Sequence, residues 1–272
     1  MTQDLLADAD LSEFDVRGVE VDGVEKTVYV TGAGPAVVVM AEMPGINAHL
    51  VRFARWVRDA GFTVHVPSLF GRDGVTVDAA EGAELFRRLC VSREFRALRG
   101  GESSPVTSWL RGLARRAHTE CGGPGVGAVG MCFTGNFALT MMLEPAVLAA
   151  VVSQPSLPLS EPGGLEISAE DLRTVRSRLE GEDLDVLALR FDGDRMCRRE
   201  RFRAYADALG DRFRTVTLPD SAAGDEQIPP FFAEHVPFPH SVLTVHLVDE
   251  PGSATIRARD DVLAYLTSRL LP

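Results

Sequence analysis

The chain has 272 residues, 45% of them hydrophobic, and its 28 basic and 39 acidic side chains give a formal net charge of −11. This length and apolar fraction are sufficient for a large core, and the negative charge argues against nucleic-acid binding, which needs a concentrated positive field. No apolar run approaches the ~18 residues that would cross a bilayer, and the acidic N-terminal residues are typical of neither a secretory signal nor a transit peptide. We therefore expect a cytoplasmic protein with no membrane contact and with reduced thiols.

Apolar strands and amphipathic helices alternate along almost the whole chain. The first two predicted strands, Phe14–Val21 and Lys26–Thr31, are separated by the turn signal Asp22-Gly23 and form a predicted hairpin. In chain order, the elements predicted next are the strand Ala36–Met40, the helix Asn47–Ala60, the strand Phe62–Val66, the helices Asp78–Leu98 and Val106–Thr119, the strand Gly125–Val129, the helix Cys132–Leu143, the strand Val147–Ser153, the helix Leu172–Leu179, the strand Val186–Phe191, the helix Arg198–Leu209, the strand Phe213–Leu218 and the helix Thr255–Leu270. This order predicts one α/β domain over residues 1–272, with a mostly parallel sheet, helices on both faces and the hairpin at one edge.

Two segments interrupt the alternation. Gly100–Pro105 is predicted to be a loop between helices, and Asp220–Pro239 is a proline-rich stretch that contains Phe231 and Phe232. An unstructured segment as long as the second one is usually a lid, a binding loop or disordered chain. Because it directly precedes His240, a lid or binding loop is the favoured interpretation.

The residues around Cys132 carry the sharpest local signal. A short apolar strand ends at Gly130, a nucleophilic side chain follows two residues later, and a helix begins at once. This is the layout of a nucleophile elbow, in which the neighbours must be small; Thr134 meets that requirement only in part, and Gly135 relieves the crowding. The alternative is that Cys132 is a small buried hydrophobic residue. The remaining cysteines lack such a turn and are expected to be structural: Cys90, Cys121 and Cys197.

An elbow nucleophile needs an acid and then a histidine later in the chain. Of six histidines, His240 lies on a loop between the last strand and the last helix, whereas His235 competes by position and His246 is expected to be a core or supporting residue. The strand that ends at residue 191 is followed by Asp192 and Asp194. Asp194 is the preferred acid because it follows the turn glycine, and Asp192 is the alternative, with a turn cap as its other interpretation.

Glu42 directly follows the buried strand Ala36–Met40. The ligand crevice of an open α/β sheet lies at the carboxyl ends of its strands, so this carboxylate either belongs to the site or merely caps the loop or pairs with an arginine. The backbone amides of Met43 and Phe133 are the predicted donors of an oxyanion hole. Neither a metal-ligand cluster nor a phosphate-binding glycine loop is evident, so we expect no metal and no cofactor.

Together these residues resemble the dienelactone hydrolase family of α/β-hydrolases. The likeness rests on Glu42–Ala48, Gly130–Gly135, Asp194 and His240-Ser241 and covers most of the chain. It implies the α/β-hydrolase fold and a Cys-His-Asp triad that opens a lactone or enol ester through an acyl-cysteine intermediate. By position, the resemblance assigns the nucleophile to Cys132, the base to His240, the acid to Asp194, and to Glu42 the task of holding and activating the resting thiol.

The sequence departs from that family in its substrate-binding arginines. The family places an arginine four residues after the histidine, where this chain has Thr244. A second arginine has several candidates, Arg87, Arg88, Arg93 and Arg96, and Arg93 is preferred, with Phe231 and Phe232 as further predicted substrate contacts. Enlarged loops indicate a bulkier or more apolar small-molecule ester or lactone, bound by a monomer or homodimer. The alternatives are a lyase, isomerase or cyclase with the same fold, or a binding protein with an impaired triad.

Overall fold

Eight strands form one sheet in the computed structural model, which describes residues 4–91 and 104–271 and, at 89–91, the backbone alone. The strands are β1 (Asp15–Val21), β2 (Val24–Gly32), β3 (Ala36–Met40), β4 (Thr63–Pro67), β5 (Val126–Met131), β6 (Val147–Ser153), β7 (Val186–Phe191) and β8 (Phe213–Leu218). Their order is β1-β2-β4-β3-β5-β6-β7-β8, and only the β1–β2 and β2–β4 pairs are antiparallel. The predicted mostly parallel sheet with an N-terminal hairpin at one edge is therefore confirmed.

The helices connect these strands and cover both faces of the sheet. They are α1 (Ala48–Asp59), α2 (Ala79–Val91), α3 (Pro105–Cys121), α4 (Gly135–Met141), α5 (Ala169–Gly181), α6 (Arg199–Leu209), α7 (Pro230–His235) and α8 (Ala254–Leu270). Every residue of β3, β5 and β7 is buried, as expected for parallel strands packed on two sides. In the described ranges, no helix is both long enough and apolar enough to cross a membrane.

Side-chain caps explain where three of the helices begin. Asn47 accepts a hydrogen bond from the backbone N–H of Leu50 at the start of α1, and Ser168 and Ser253 do the same at the starts of α5 and α8. A helix leaves its first N–H groups without partners inside the helix, so an oxygen at this position satisfies one of them. The cap at Asn47 fixes the turn that carries the chain from β3 into α1.

The segment 220–239 contains more structure than the sequence predicts. It holds a short 3-10 turn at Asp220–Ala222 and the helix α7, which packs against α2. The expectation of an unstructured loop was wrong because a proline at the first helical position fits a helix, and Pro230 begins α7. The ring of Phe231 lies against Gly82 of α2, where an added Cβ would be 2.4 Å from a ring carbon. Packing on α2 thus fixes a helix that is too short to be stable alone.

Candidate active site

Four predicted site residues meet at the carboxyl edge of the sheet. Glu42 follows β3, Cys132 follows β5, Asp194 follows β7, and His240 lies on the loop after α7. All four are buried, with His240 fully enclosed. Parallel strands end at the same edge of a sheet, which explains how residues from distant parts of the chain converge here.

Cys132 is held in a strained backbone conformation. Its φ is +53°, and it begins the 3-10 turn Cys132–Thr134 that leads from β5 into α4. Residues other than glycine rarely adopt this left-handed backbone conformation, and such strain is typical of functional turns. An added Cβ at Gly130 would lie 2.2 Å from the carbonyl oxygen of Thr134, and one at Gly135 would lie 2.8 Å from Cα of Pro155. The turn therefore needs glycine at both positions.

Thr134 fits into this turn through its hydroxyl group. Its Oγ1 accepts a hydrogen bond of 2.9 Å from the backbone N–H of Met131. The same oxygen lies 3.0 Å from the carbonyl oxygen of Met131, 3.2 Å from that of Met40 and 3.1 Å from that of Ala41, so its single proton is shared among three acceptors. Thr134 thus connects the turn of Cys132 to the strand end that precedes Glu42.

His240 and Asp194 form a buried hydrogen-bonded pair. The Nδ1–H of His240 donates to Oδ2 of Asp194 at 2.7 Å, while Oδ1 of Asp194 accepts from the backbone N–H groups of Met196 and Cys197 at 2.8 and 2.9 Å. Burial by itself lowers the pKa of His240, but the charges of Asp194 and Cys132 outweigh it and raise that pKa well above its usual value. Asp194 therefore both orients the imidazole of His240 and stabilises its protonated form.

Cys132, His240 and Glu42 form one buried cluster of a thiol, an imidazole and a carboxylate. The Cys132 sulfur, a ring nitrogen of His240 and a carboxylate oxygen of Glu42 are within 4.8 Å of one another. The Nε2 atom of His240 is buried and has no hydrogen-bond partner in the described chain, whereas Nδ1 is occupied by Asp194. The Cys132 thiol donates to Oγ of Ser156 at 3.5 Å. Nε2 is therefore the nitrogen available to the thiol.

A network of three donors holds the Glu42 carboxylate. Its Oε2 accepts from Oγ of Ser241 at 2.6 Å and from Nε2 of Gln154 at 3.5 Å, and its Oε1 accepts from the hydroxyl of Thr244. Burial raises the pKa of Glu42, opposed by the charge of His240 and by these hydrogen bonds. Thr244, at the position where the resemblance predicts an arginine, thus contacts Glu42.

Four polar residues of this site were not identified as site residues from the sequence: Gln154, Ser156, Ser241 and Thr244. Ser241 and Thr244 follow His240 by one and four residues. A buried carboxylate requires donors, and this requirement was the signal that could have pointed to both hydroxyls. Gln154 and Ser156 follow β6 and carried no comparable signal.

The predicted oxyanion donors lie on the two loops that carry Glu42 and Cys132. Met43 and Phe133 are both buried, next to Glu42 and Cys132 respectively. The ring of Phe133 packs edge-to-face on Phe70 at 5.9 Å between ring centres. Gly45, in the loop of Met43, has φ +142°, and an added Cβ there would be 2.6 Å from the Phe70 carbonyl oxygen. These contacts fix the loop that carries the Met43 amide.

The remaining candidates that the structure describes contact other parts of the protein. Arg93 and Arg96 fall outside the described residues, and Arg87 and Arg88 pair with Glu84 on the exposed face of α2. Asp192 is exposed, 3.6 Å from Arg190 and from Arg199. Nε2 of His235 lies 3.1 Å from the carbonyl oxygen of Ala79, and Nδ1 of His246 accepts from the backbone N–H of Ser241. Phe231 packs on α2, while Phe232 lines a separate cavity.

The other thiols differ from Cys132 in their surroundings. Cys197 is buried, and burial together with the charge of Asp194 raises the pKa of its thiol well above the usual value. Cys121 is partly exposed at the end of α3, and the side chain of Cys90 lies outside the described part of the chain. The sulfur, nitrogen and oxygen donors of Cys132, His240 and Glu42 lie within 4.8 Å of one another, and these are atom types that bind metal ions such as zinc.

This fold and this arrangement of cysteine, acid and histidine at the strand ends define the protein as an α/β-hydrolase. The model of the dienelactone hydrolase family matches residues 25–166, more than half of the chain. The protein therefore belongs to the dienelactone hydrolase family. No curated protein matches the chain at a significant level.

Several solved structures share the fold over nearly their whole length. A putative dienelactone hydrolase from Klebsiella pneumoniae is 16% identical with a TM-score of 0.60, and the match covers 94% of this chain and 97% of that one. A dienelactone hydrolase-like promiscuous phosphotriesterase from metagenomic libraries is 20% identical, with a TM-score of 0.61 and coverages of 95% and 99%. A thermophilic esterase from Thermogutta terrifontis is 14% identical, with a TM-score of 0.53 and coverages of 97% and 95%. At these identities the likeness establishes the fold.

Proposed function

We propose that the protein hydrolyses an ester, lactone or thioester bond of a small molecule through an acyl-cysteine intermediate. The observation that supports this most directly is the buried hydrogen bond of 2.7 Å between His240 and Asp194, with a histidine nitrogen within 4.8 Å of the Cys132 sulfur. Activation of a cysteine nucleophile needs a base that contacts both the thiol and an orienting acid. Membership of the dienelactone hydrolase family supports hydrolysis as the reaction.

The proposed reaction has two steps, acylation and deacylation of Cys132, and each passes through a tetrahedral intermediate. His240 removes the proton of Cys132, and the thiolate attacks the carbonyl carbon, whose oxygen becomes an oxyanion held by the amides of Met43 and Phe133. The intermediate collapses, the carbon–oxygen bond to the leaving group breaks, and the alcohol takes the proton from His240. Water, deprotonated by His240, then attacks the acyl group, releases the acid and restores the thiol.

Glu42 is the second group that can accept the thiol proton. Its carboxylate lies within 4.8 Å of the Cys132 sulfur, and burial raises its pKa and therefore its affinity for a proton. The hydroxyls of Ser241 and Thr244 hold it in place. We propose that Glu42 holds the resting thiol and that His240 takes over when substrate binds.

The surroundings of the thiol favour an uncharged substrate with an activated acyl group. Thiolates react readily with esters and thioesters, whereas amides are poor substrates for them. The hydroxyl of Thr244 donates to Glu42, so position 244 offers no cation to a substrate carboxylate. A neutral ester or lactone is therefore the proposed substrate class.

Mass spectrometry after reaction with p-nitrophenyl acetate tests the covalent intermediate. Acid-quenched protein is expected to carry one acetyl group on the peptide that contains Cys132. In the Cys132→Ala variant the adduct should be absent, whereas the Cys197→Ala variant should keep it because Cys197 is buried and its raised pKa keeps it a thiol. An acetyl group on another residue, with Cys132 unmodified, would contradict the proposal.

Product analysis in oxygen-labelled water separates hydrolysis from the alternative reactions of this fold. Hydrolysis must place one solvent oxygen in the acid product, because water releases the acyl group. A lyase, isomerase or cyclase would leave the product unlabelled, and a binding protein would give no product. An unlabelled product would therefore rule out the hydrolytic step while leaving the fold and family unaffected.

The Thr134→Val variant is expected to lower kcat by roughly 10- to 100-fold, while KM changes by less than about threefold. Valine keeps the shape of the side chain but removes the hydroxyl that connects the Cys132 turn to the end of β3. Serine retains the hydroxyl, so Thr134→Ser is the matched control and should remain near the wild-type kcat. Steady-state kinetics with an activated ester measure both constants. An equal loss in Thr134→Ser would show that volume matters here and not the hydrogen bonds.

A further inference from the structure

A cavity of about 420 Å³ lies within the segment 220–239 and is bounded on one side by His246. Most of its wall is apolar and includes Ile228, Phe232, Val236 and Phe238. The four residues of the candidate active site do not line it. A cavity of this size, with apolar walls and few polar groups, is typical of small-molecule sites.

His246 is one of the polar residues that line this cavity. Its Nδ1 accepts the backbone N–H of Ser241 at 3.1 Å and therefore carries no proton. Burial, together with the nearby charge of His240, lowers the pKa of His246 to about 4, so the ring is neutral at neutral pH and its proton resides on Nε2. Among the described residues, the hydrogen bond of this ring runs through Nδ1, which leaves the N–H of Nε2 to a ligand.

The charges around the cavity disfavour anions. Asp220 and Asp225 line it, and both are exposed. Oδ1 of Asp220 accepts the backbone N–H of Gly193, and neither carboxylate forms an ion pair within the described residues. One cation, Arg195, lies 5.5 Å from the ring centre of Phe238 and only partly offsets them. The polar side chains at the cavity are thus the imidazole of His246 and a net negative rim.

We propose that this cavity binds an uncharged, largely apolar molecule whose carbonyl oxygen accepts a hydrogen bond from Nε2 of His246. The site is separate from the nucleophile, so binding there does not depend on the proposed hydrolysis. The apolar walls bind the hydrocarbon part, the N–H of His246 selects the oxygen, and the carboxylates of Asp220 and Asp225 exclude a negative charge.

Isothermal titration calorimetry of the wild-type protein with three ligands of similar shape tests this assignment. The probes are 2-acetylnaphthalene, 2-ethylnaphthalene and 2-naphthoate, none of which can be hydrolysed. The ketone is expected to bind about tenfold more tightly than the hydrocarbon, because one hydrogen bond to His246 contributes on that order. The carboxylate should bind more weakly than the ketone. Equal affinity of the ketone and the hydrocarbon would refute the assigned donor.

Two variants on one helix locate the bound ketone. Ala233 and Glu234 are neighbouring exposed residues of α7, but only Ala233 lines the cavity. The Ala233→Trp variant should weaken 2-acetylnaphthalene binding at least tenfold by filling the space, whereas Glu234→Trp should bind as the wild type does. Unchanged binding in Ala233→Trp, or loss of binding after alkylation of Cys132, would place the ligand elsewhere and overturn the proposal.

Discussion

Replacement of Cys132 by alanine is expected to lower kcat/KM for an activated ester by at least about 10⁴-fold, since the proposed acyl intermediate forms on its sulfur. The oxyanion donors and the binding surface remain, so a small residual rate above that of water is expected. Steady-state kinetics with p-nitrophenyl acetate measure the loss, and the elbow should stay folded because alanine is smaller than cysteine.

Cys197→Ala is the matched control for this variant. Cys197 is also buried near Asp194, but its contact with the carboxylate is through its backbone N–H, which alanine retains. Its activity should therefore stay within about threefold of the wild type. If Cys132→Ala retained full ester turnover, or if Cys197→Ala lost it, the assignment of the nucleophile would be wrong.

The order and type of the secondary structure could be predicted from local patterns. Runs such as Ala36–Met40 are apolar at every position, which is typical of parallel strands, and β3 is buried throughout as expected. The helix α7 could not be predicted in this way, because it has only six residues and depends on the contact of Phe231 with Gly82. Such packing joins residues about 150 positions apart, which a local pattern does not record.

The convergence of Glu42, Cys132, Asp194 and His240 could also be predicted, because chain order and the common edge of parallel strands bring their positions together. That a buried Glu42 needs hydrogen-bond donors could be predicted as well, but which hydroxyls pair with it could not. Ser241 and Thr244 bond to it from 199 and 202 residues away, and nothing near them in sequence identifies the carboxylate they face. From the sequence, Thr244 was recognised only as a position without the expected arginine, although its hydroxyl donates to Glu42.

The Asp194→Asn variant is expected to lower kcat by about 10⁴-fold, because it reverses the direction of the hydrogen bond to His240. Oδ1 of Asp194 accepts two backbone N–H groups, so an asparagine must keep its oxygen there and turn its NH₂ group toward Nδ1. Nδ1 then has to accept, the imidazole proton moves to Nε2, and the nitrogen that faces Cys132 can no longer take a proton. Steady-state kinetics with the same ester measure this loss.

The same substitution removes a charge that raises the pKa of His240, so that pKa should fall relative to the wild type in an NMR titration of the ring. Asp192→Asn is the matched control, two residues away. Asp192 is exposed and lies 3.6 Å from the exposed Arg199 and from the buried Arg190. Arg190 also donates to the backbone oxygens of Cys197 and Asp192, which the variant keeps, so activity and the His240 titration should be nearly unchanged. The opposite result, with Asp192→Asn inactive and Asp194→Asn active, would make Asp192 the acid and would require the loop after β7 to rearrange in the working enzyme.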